Sequence, residues 1–102
     1  MNQKKFFIGL MSGTSVDSID AVALQFVHDE VNICGTCSYP IPRGVKTSIF
    51  SLSEQNEISI DLLCKTDTQL GELFSQAAME LMISCSIKPQ QIAAIGSHGQ
   101  TI

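Results

Sequence analysis

The chain has 102 residues, 44% hydrophobic and 16% charged, enough for one domain with a modest core or for part of a larger one. Six Lys and Arg against ten Asp and Glu leave a formal charge of −4 and no basic stripe, which argues against nucleic-acid binding. No apolar tract is long enough to cross a bilayer and no signal-peptide pattern opens the chain, so a cytoplasmic setting is expected.

After a solvated Lys4-Lys5, the apolar run Phe6-Phe7-Ile8-Gly9-Leu10-Met11 predicts a buried strand. It empties into Ser12-Gly13-Thr14-Ser15, followed by Asp17, Ser18 and Asp20. Gly13 lets a ligand approach the backbone, and the neighbouring hydroxyls and turn N–H groups suit phosphate oxygens. A small-residue β-turn with solvated aspartates accounts for the same residues equally well. From Ile19 to Val27 both alternating faces are apolar, which predicts a central strand. His28-Asp29-Glu30 is a polar break with His28 at a hairpin tip, and Val31 to Tyr39 alternates as a third strand, completing an antiparallel meander.

Pro40 and Pro42 end the sheet. Val45, Ile49 and Leu52 then carry helical spacing, with Ser53-Glu54-Gln55-Asn56 read as the following loop. Ile58 to Lys65 is ambiguous, though Leu62 and Leu63 favour a helical turn or two. Thr66-x-x-Gln69 has the form of a capping box for an amphipathic helix carrying Leu70, Leu73, Phe74, Ala77, Ala78, Leu81, Met82 and Cys85. Gly71, costing about 1 kcal/mol relative to alanine inside a helix, marks either a close approach to the sheet or a tolerated defect. Pro89 follows, and Ile92-Ala93-Ala94-Ile95 predicts a fourth strand, parallel to one of its neighbours, leading into Gly96-Ser97-His98-Gly99. The chain stops at Ile102 directly after this polar turn, which reads as a cut end.

Cys34 and Cys37 have C-x-x-C spacing but lie in a strand, where positions three apart face opposite ways. With Cys64 and Cys85 they read as free thiols. The glycines fall into neither a P-loop nor a G-x-G-x-x-G pattern, so any phosphate would be held by the first hairpin. Ser97-His98 does not make a serine hydrolase, because adjacent side chains on an extended segment point apart and no G-x-S-x-G elbow is present.

Gly9-Leu10-Met11-Ser12-Gly13-Thr14-Ser15-Val16-Asp17-Ser18-Ile19-Asp20 closely resembles the opening signature of the anhydro-N-acetylmuramic acid kinases, roughly G-x-M-S-G-T-S-x-D-G-x-D. Gly96-Ser97-His98-Gly99-Gln100-Thr101-Ile102 resembles a second signature of that family, in the same order. The resemblance implies an α/β, ribonuclease H-like (actin-like) ATPase fold, with residues 1–102 as the N-terminal part of its first domain and the remainder of the family's chain absent. It implies Gly13, Thr14, Ser15, Val16, Asp17, Ser18, Ile19 and Asp20 as the ATP-binding segment, with Asp17 ordering magnesium or its waters. For Asp20, metal work and a hydrogen bond within its own hairpin stand side by side. His98, Gln100 and Thr101 are implied as contacts to the sugar, while a lone histidine would otherwise be read as structural. The implied reaction opens the 1,6-anhydro ring with water and phosphorylates the 6-hydroxyl in peptidoglycan recycling, using a base aspartate from a later segment.

Ser18 departs from the family glycine, at a cost of about 1 kcal/mol if φ must be positive there. Residues 1–102 alone are expected to be inactive. The alternatives are a kinase for another amino sugar, or a non-catalytic, partner-binding module that keeps the hairpin. An uncovered apolar sheet edge would favour a homodimer or a missing second half.

Overall fold

A computed structural model describes residues 5–13, 15–54 and 59–100. Thr14, Gln55, Asn56, Ile58 and Thr101 therefore lie outside the described residues. The meander is present as β1 (Phe6–Ser12), β2 (Ser18–Val27) and β3 (Glu30–Pro40). A two-residue turn with positive φ at both His28 (52°) and Asp29 (66°) joins β2 to β3, the conformation that suits the twist of a tight hairpin. β4 (Ile92–Ser97) lies parallel to β1, giving the strand order β3-β2-β1-β4, with β1 and β2 in the interior. This mixed α/β sheet is consistent with the start of an actin-like ATPase domain.

Helices α1 (Arg43–Glu54) and α2 (Ile60–Ser84) cover one face of the sheet. Val45 and Ile49 on α1 and Leu70, Leu73, Ala77, Ala78 and Leu81 on α2 share one core with Ile8, Leu10, Ile19, Ala21 and Ala23, and Leu52 is buried outside that cluster. Ser53 and Glu54 belong to α1 rather than to the loop expected there.

The capping box expected at Thr66 is overturned. α2 runs for 25 residues from the N-cap Ser59, whose side chain accepts from the Leu62 N–H at 3.3 Å, with Asp61 in the first turn. Thr66 is fully buried in the helix interior, because the inward stripe continues through Thr66 to Leu70 at i, i+4 spacing. Starting the helix later would forfeit that packing. At the other end, Ser86 adopts φ 55°, while its N–H donates to Ile83 O and the Ile87 N–H donates to Met82 O. These bonds form a Schellman motif, with the apolar Ile87 buried beneath it.

Close approach of helix and sheet occurs at Gly35 rather than Gly71. A Cβ built on Gly35 would collide with Cys85 Sγ, whereas one on Gly71 would meet nothing within 4 Å. On β3, Cys34 is the extra residue of a bulge opposite Ala23 and Leu24. The thiols of Cys34 and Cys37 go separate ways: Cys34 lies against Gln25 and Cys37 against the Ala77 carbonyl. Both are free. Among the described residues, no helix is long and apolar enough to cross a membrane.

Candidate functional site

The β1–β2 turn is closed by the Val16 N–H, which donates to Gly13 O at 3.1 Å. Val16 is 1% exposed and holds φ 54°, a left-handed conformation that is unusual for a β-branched residue. Burial of its side chain and the bond from the Ile41 N–H to Asp17 O hold the turn in that shape. Ser18, where the family signature carries glycine, is not among the positive-φ residues; it pairs with Pro40 at the start of β2. The anticipated strain at Ser18 is therefore absent, and among the described residues of this turn the left-handed one is Val16. Gly13 faces open space, since a Cβ there would meet nothing within 4 Å, and a ligand has access to its backbone.

The two aspartates of the segment are held differently. Asp17 is exposed at the turn and forms an ion pair with Lys46 Nζ of α1 at 2.5 Å. The Lys46 ammonium, through its hydrogen bond and its charge, holds the Asp17 carboxyl below its ordinary value, with a smaller hydrogen-bond contribution from Ser15. Asp20 lies on the open face of the sheet and accepts from Ser38 Oγ at 2.8 Å and Ser18 Oγ at 3.3 Å. Its hydrogen bonds thus run to its own strand at Ser18 and, more closely, to β3 at Ser38. Ile19 is fully buried, so its side chain faces the core.

Lys46 was not foreseen from the sequence. The available signal was the antiparallel register: a third strand ending beside Ser18 returns the following helix to the first turn. Lys46 follows directly on Val45, the first residue of that helix's buried stripe.

The parallel pairing of β1 and β4 sets the two signature segments side by side. The His98 N–H donates to Leu10 O at 2.9 Å, and Ser12 Oγ donates to Gln100 Oε1 at 2.5 Å. Gly13 follows immediately on that contact. His98 is exposed. Next to Gly99 and Gln100 a cavity of about 290 Å³ runs back to Asp67, Gly71 and Phe74 of α2. Among the described residues, no group of three or more His, Cys, Asp or Glu stands ready to hold a metal ion. Asp17, already paired with Lys46, offers a single carboxylate, which would suffice only for a cation that brings phosphate oxygens and water as its other ligands.

Residues 5–102 match the family model described as Anhydro-N-acetylmuramic acid kinase. A protein of that name from Vibrio vulnificus is 33% identical over 102 residues, covering 100% of this chain and 28% of the relative. One from Coxiella burnetii is 41% identical over 99 residues, covering 97% and 26%. One from Shewanella loihica is 37% identical over 99 residues, covering 97% and 27%. The chain thus spans roughly a quarter of the length of the curated relatives it matches. With both signatures adjacent at one end of the sheet and the family model matching nearly end to end, the chain belongs to the anhydro-N-acetylmuramic acid kinase family.

Proposed function

We propose that this chain forms the phosphate-binding edge of an ATP-dependent kinase that acts on 1,6-anhydro-N-acetylmuramic acid. In that reaction water adds at C1 as the anhydro bond to O6 breaks, and O6 takes the γ-phosphoryl group while ADP leaves. The product is N-acetylmuramic acid 6-phosphate, an intermediate suited to cytoplasmic recycling of peptidoglycan. The observation that supports the reading is the junction of Ser12 with Gln100, which brings the hairpin proposed here for the phosphates directly beside the second signature. A phosphoryl donor and its acceptor must meet within bonding reach, and two adjacent segments of this kind supply one site for each.

Gly13, Thr14 and Ser15 provide the backbone and hydroxyl donors for the phosphates, within the segment that runs on to Asp20. Magnesium, when bound with the nucleotide, neutralises charge developing on the phosphates. Asp17 would order that ion or its waters. Lys46 stands close enough to the turn to trade its contact with Asp17 for a phosphate oxygen. His98, Gln100 and Thr101 are assigned to the sugar, and the base that activates water is assigned to a segment of the kinase outside these 102 residues.

The test is to incubate the complete gene product with ATP, magnesium and the anhydro sugar, following ADP release and sugar 6-phosphate by mass spectrometry. The expected result is stoichiometric formation of both, with one atom of label from ¹⁸O-water in the sugar. Absence of ADP above a sugar-free control sinks the reading, and a panel of other amino sugars then identifies any different acceptor. Residues 1–102 by themselves are expected to show no turnover in the same assay.

A further inference from the structure

We infer that the cavity between α2 and the end of β4 is a subsite for the amino sugar, in which Gly71 keeps the space clear and Asp67 accepts a hydrogen bond from the sugar. The inference rests on the kinase reading and extends it to a helix that neither signature includes. The cavity, about 290 Å³, has Leu63, Asp67, Gly71 and Phe74 on its helical wall and Gly99 and Gln100 opposite. That volume lies at the small end of ligand pockets and suits one edge of a monosaccharide.

Gly71 is the first reason. Glycine is among the poorest residues for a helix interior, and nothing at this position requires it for packing, since a Cβ there would meet no atom within 4 Å. The space it leaves open is this cavity. Asp67 is the second. It stands one turn earlier on the same wall, at i, i+4 from Gly71, and among the described residues no ion pair or hydrogen bond engages its carboxylate. Location is the third. Gln100 on the facing wall holds Ser12, the residue before Gly13, so the cavity lies beside the hairpin assigned to the phosphates. A phosphoryl acceptor has to lie there.

The lining also selects which side of the sugar enters. Leu63 and Phe74 offer apolar surface for ring carbons, and Asp67 offers an acceptor for a hydroxyl or for the acetamido N–H. Its negative charge repels the substrate's own carboxylate, which must therefore point away.

The experiment uses the complete gene product and measures KM for the anhydro sugar and for ATP separately, together with the melting temperature. Gly71→Leu fills the cavity with a good helix former, so the melting temperature should hold or rise. Asp67→Ala removes the acceptor from an exposed position, without disturbing the core. Each variant is expected to raise the sugar KM about tenfold, with the ATP KM within about twofold of the parent. A glycine needed for packing would instead lower the melting temperature and move both constants. Folded variants with an unchanged sugar KM overturn the inference and leave the kinase reading standing. A parent protein that ignores the anhydro sugar overturns the reading, and the inference falls with it.

Discussion

Lys46 and Asp17 stand on different elements and meet across an exposed gap at the tip of the first hairpin. An exposed ion pair of this kind adds little to stability, whereas a cation on a phosphate makes a charge-assisted hydrogen bond about twice as strong as a neutral one. The larger effect of Lys46 is therefore expected in nucleotide binding. Lys46→Gln in the complete gene product should raise the KM for ATP by about tenfold while the melting temperature stays put; the reverse pattern would make the pair structural. Because Lys46 lowers the Asp17 pKa, the bridge is complete above the ordinary carboxylate value and is lost only as pH falls through the lowered one. Between about pH 5 and 8 it should contribute no pH dependence to folding.

Ser18 makes a second test at this scale. The family signature led to an expected penalty for serine, yet the positive φ belongs to Val16, and Ser18 lies in regular strand geometry with its hydroxyl on Asp20. Ser18→Gly would relieve no strain and would loosen the unfolded chain. A loss of about 0.5–1 kcal/mol is expected from urea melts, and a gain would show that strain does sit at Ser18.

At the scale of elements, what could be read from the sequence followed the strength of the periodic signal. The strands were legible because alternation from Val31 to Tyr39 and the two-sided apolar run of β2 have few other interpretations. The helical lean of Leu62 and Leu63 was right, but the start of α2 was misplaced at Thr66. A threonine with glutamine three places on matches a capping box, but the same threonine lies on the inward stripe between Leu62 and Leu70, and packing outweighed the local motif. The carboxyl-end site was legible only as two separate segments; their contact depends on the crossover that makes β4 parallel to β1. Packing left a cost behind, since Thr66 Oγ1 is buried with no hydrogen-bond partner among the described residues. Valine has nearly the same shape and no hydroxyl to desolvate. Thr66→Val should stabilise the fold by about 1–2 kcal/mol in chemical denaturation, and a loss would mean that the hydroxyl finds a partner in solution.

Across the whole molecule, the helices leave one face of the sheet bare. Met11 (51% exposed), Phe26 (58%), Val31 (57%) and Ile33 (63%) stand on that open face or at its β3 edge, with Phe7 packed edge-on against Phe26. Full burial of a side chain of this size is worth about 1.5–3 kcal/mol, so such a patch favours association. The relatives are several times longer than this chain, and in them further polypeptide is available to cover the face. With only residues 1–102 present, the face has no such cover, and concentration-dependent self-association is expected in sedimentation, with masses above 11.0 kDa. Two single variants separate the routes. Phe26→Lys charges the interior strand β2 and should return the chain to its monomer mass if the flat face mediates contact. Ile33→Lys charges the edge strand β3 and would act alone if the contact were strand-to-strand pairing along that edge. The apolar face is the larger surface, so Phe26→Lys should suffice; a chain that stays monomeric without either change would show that the face is too shallow to drive association.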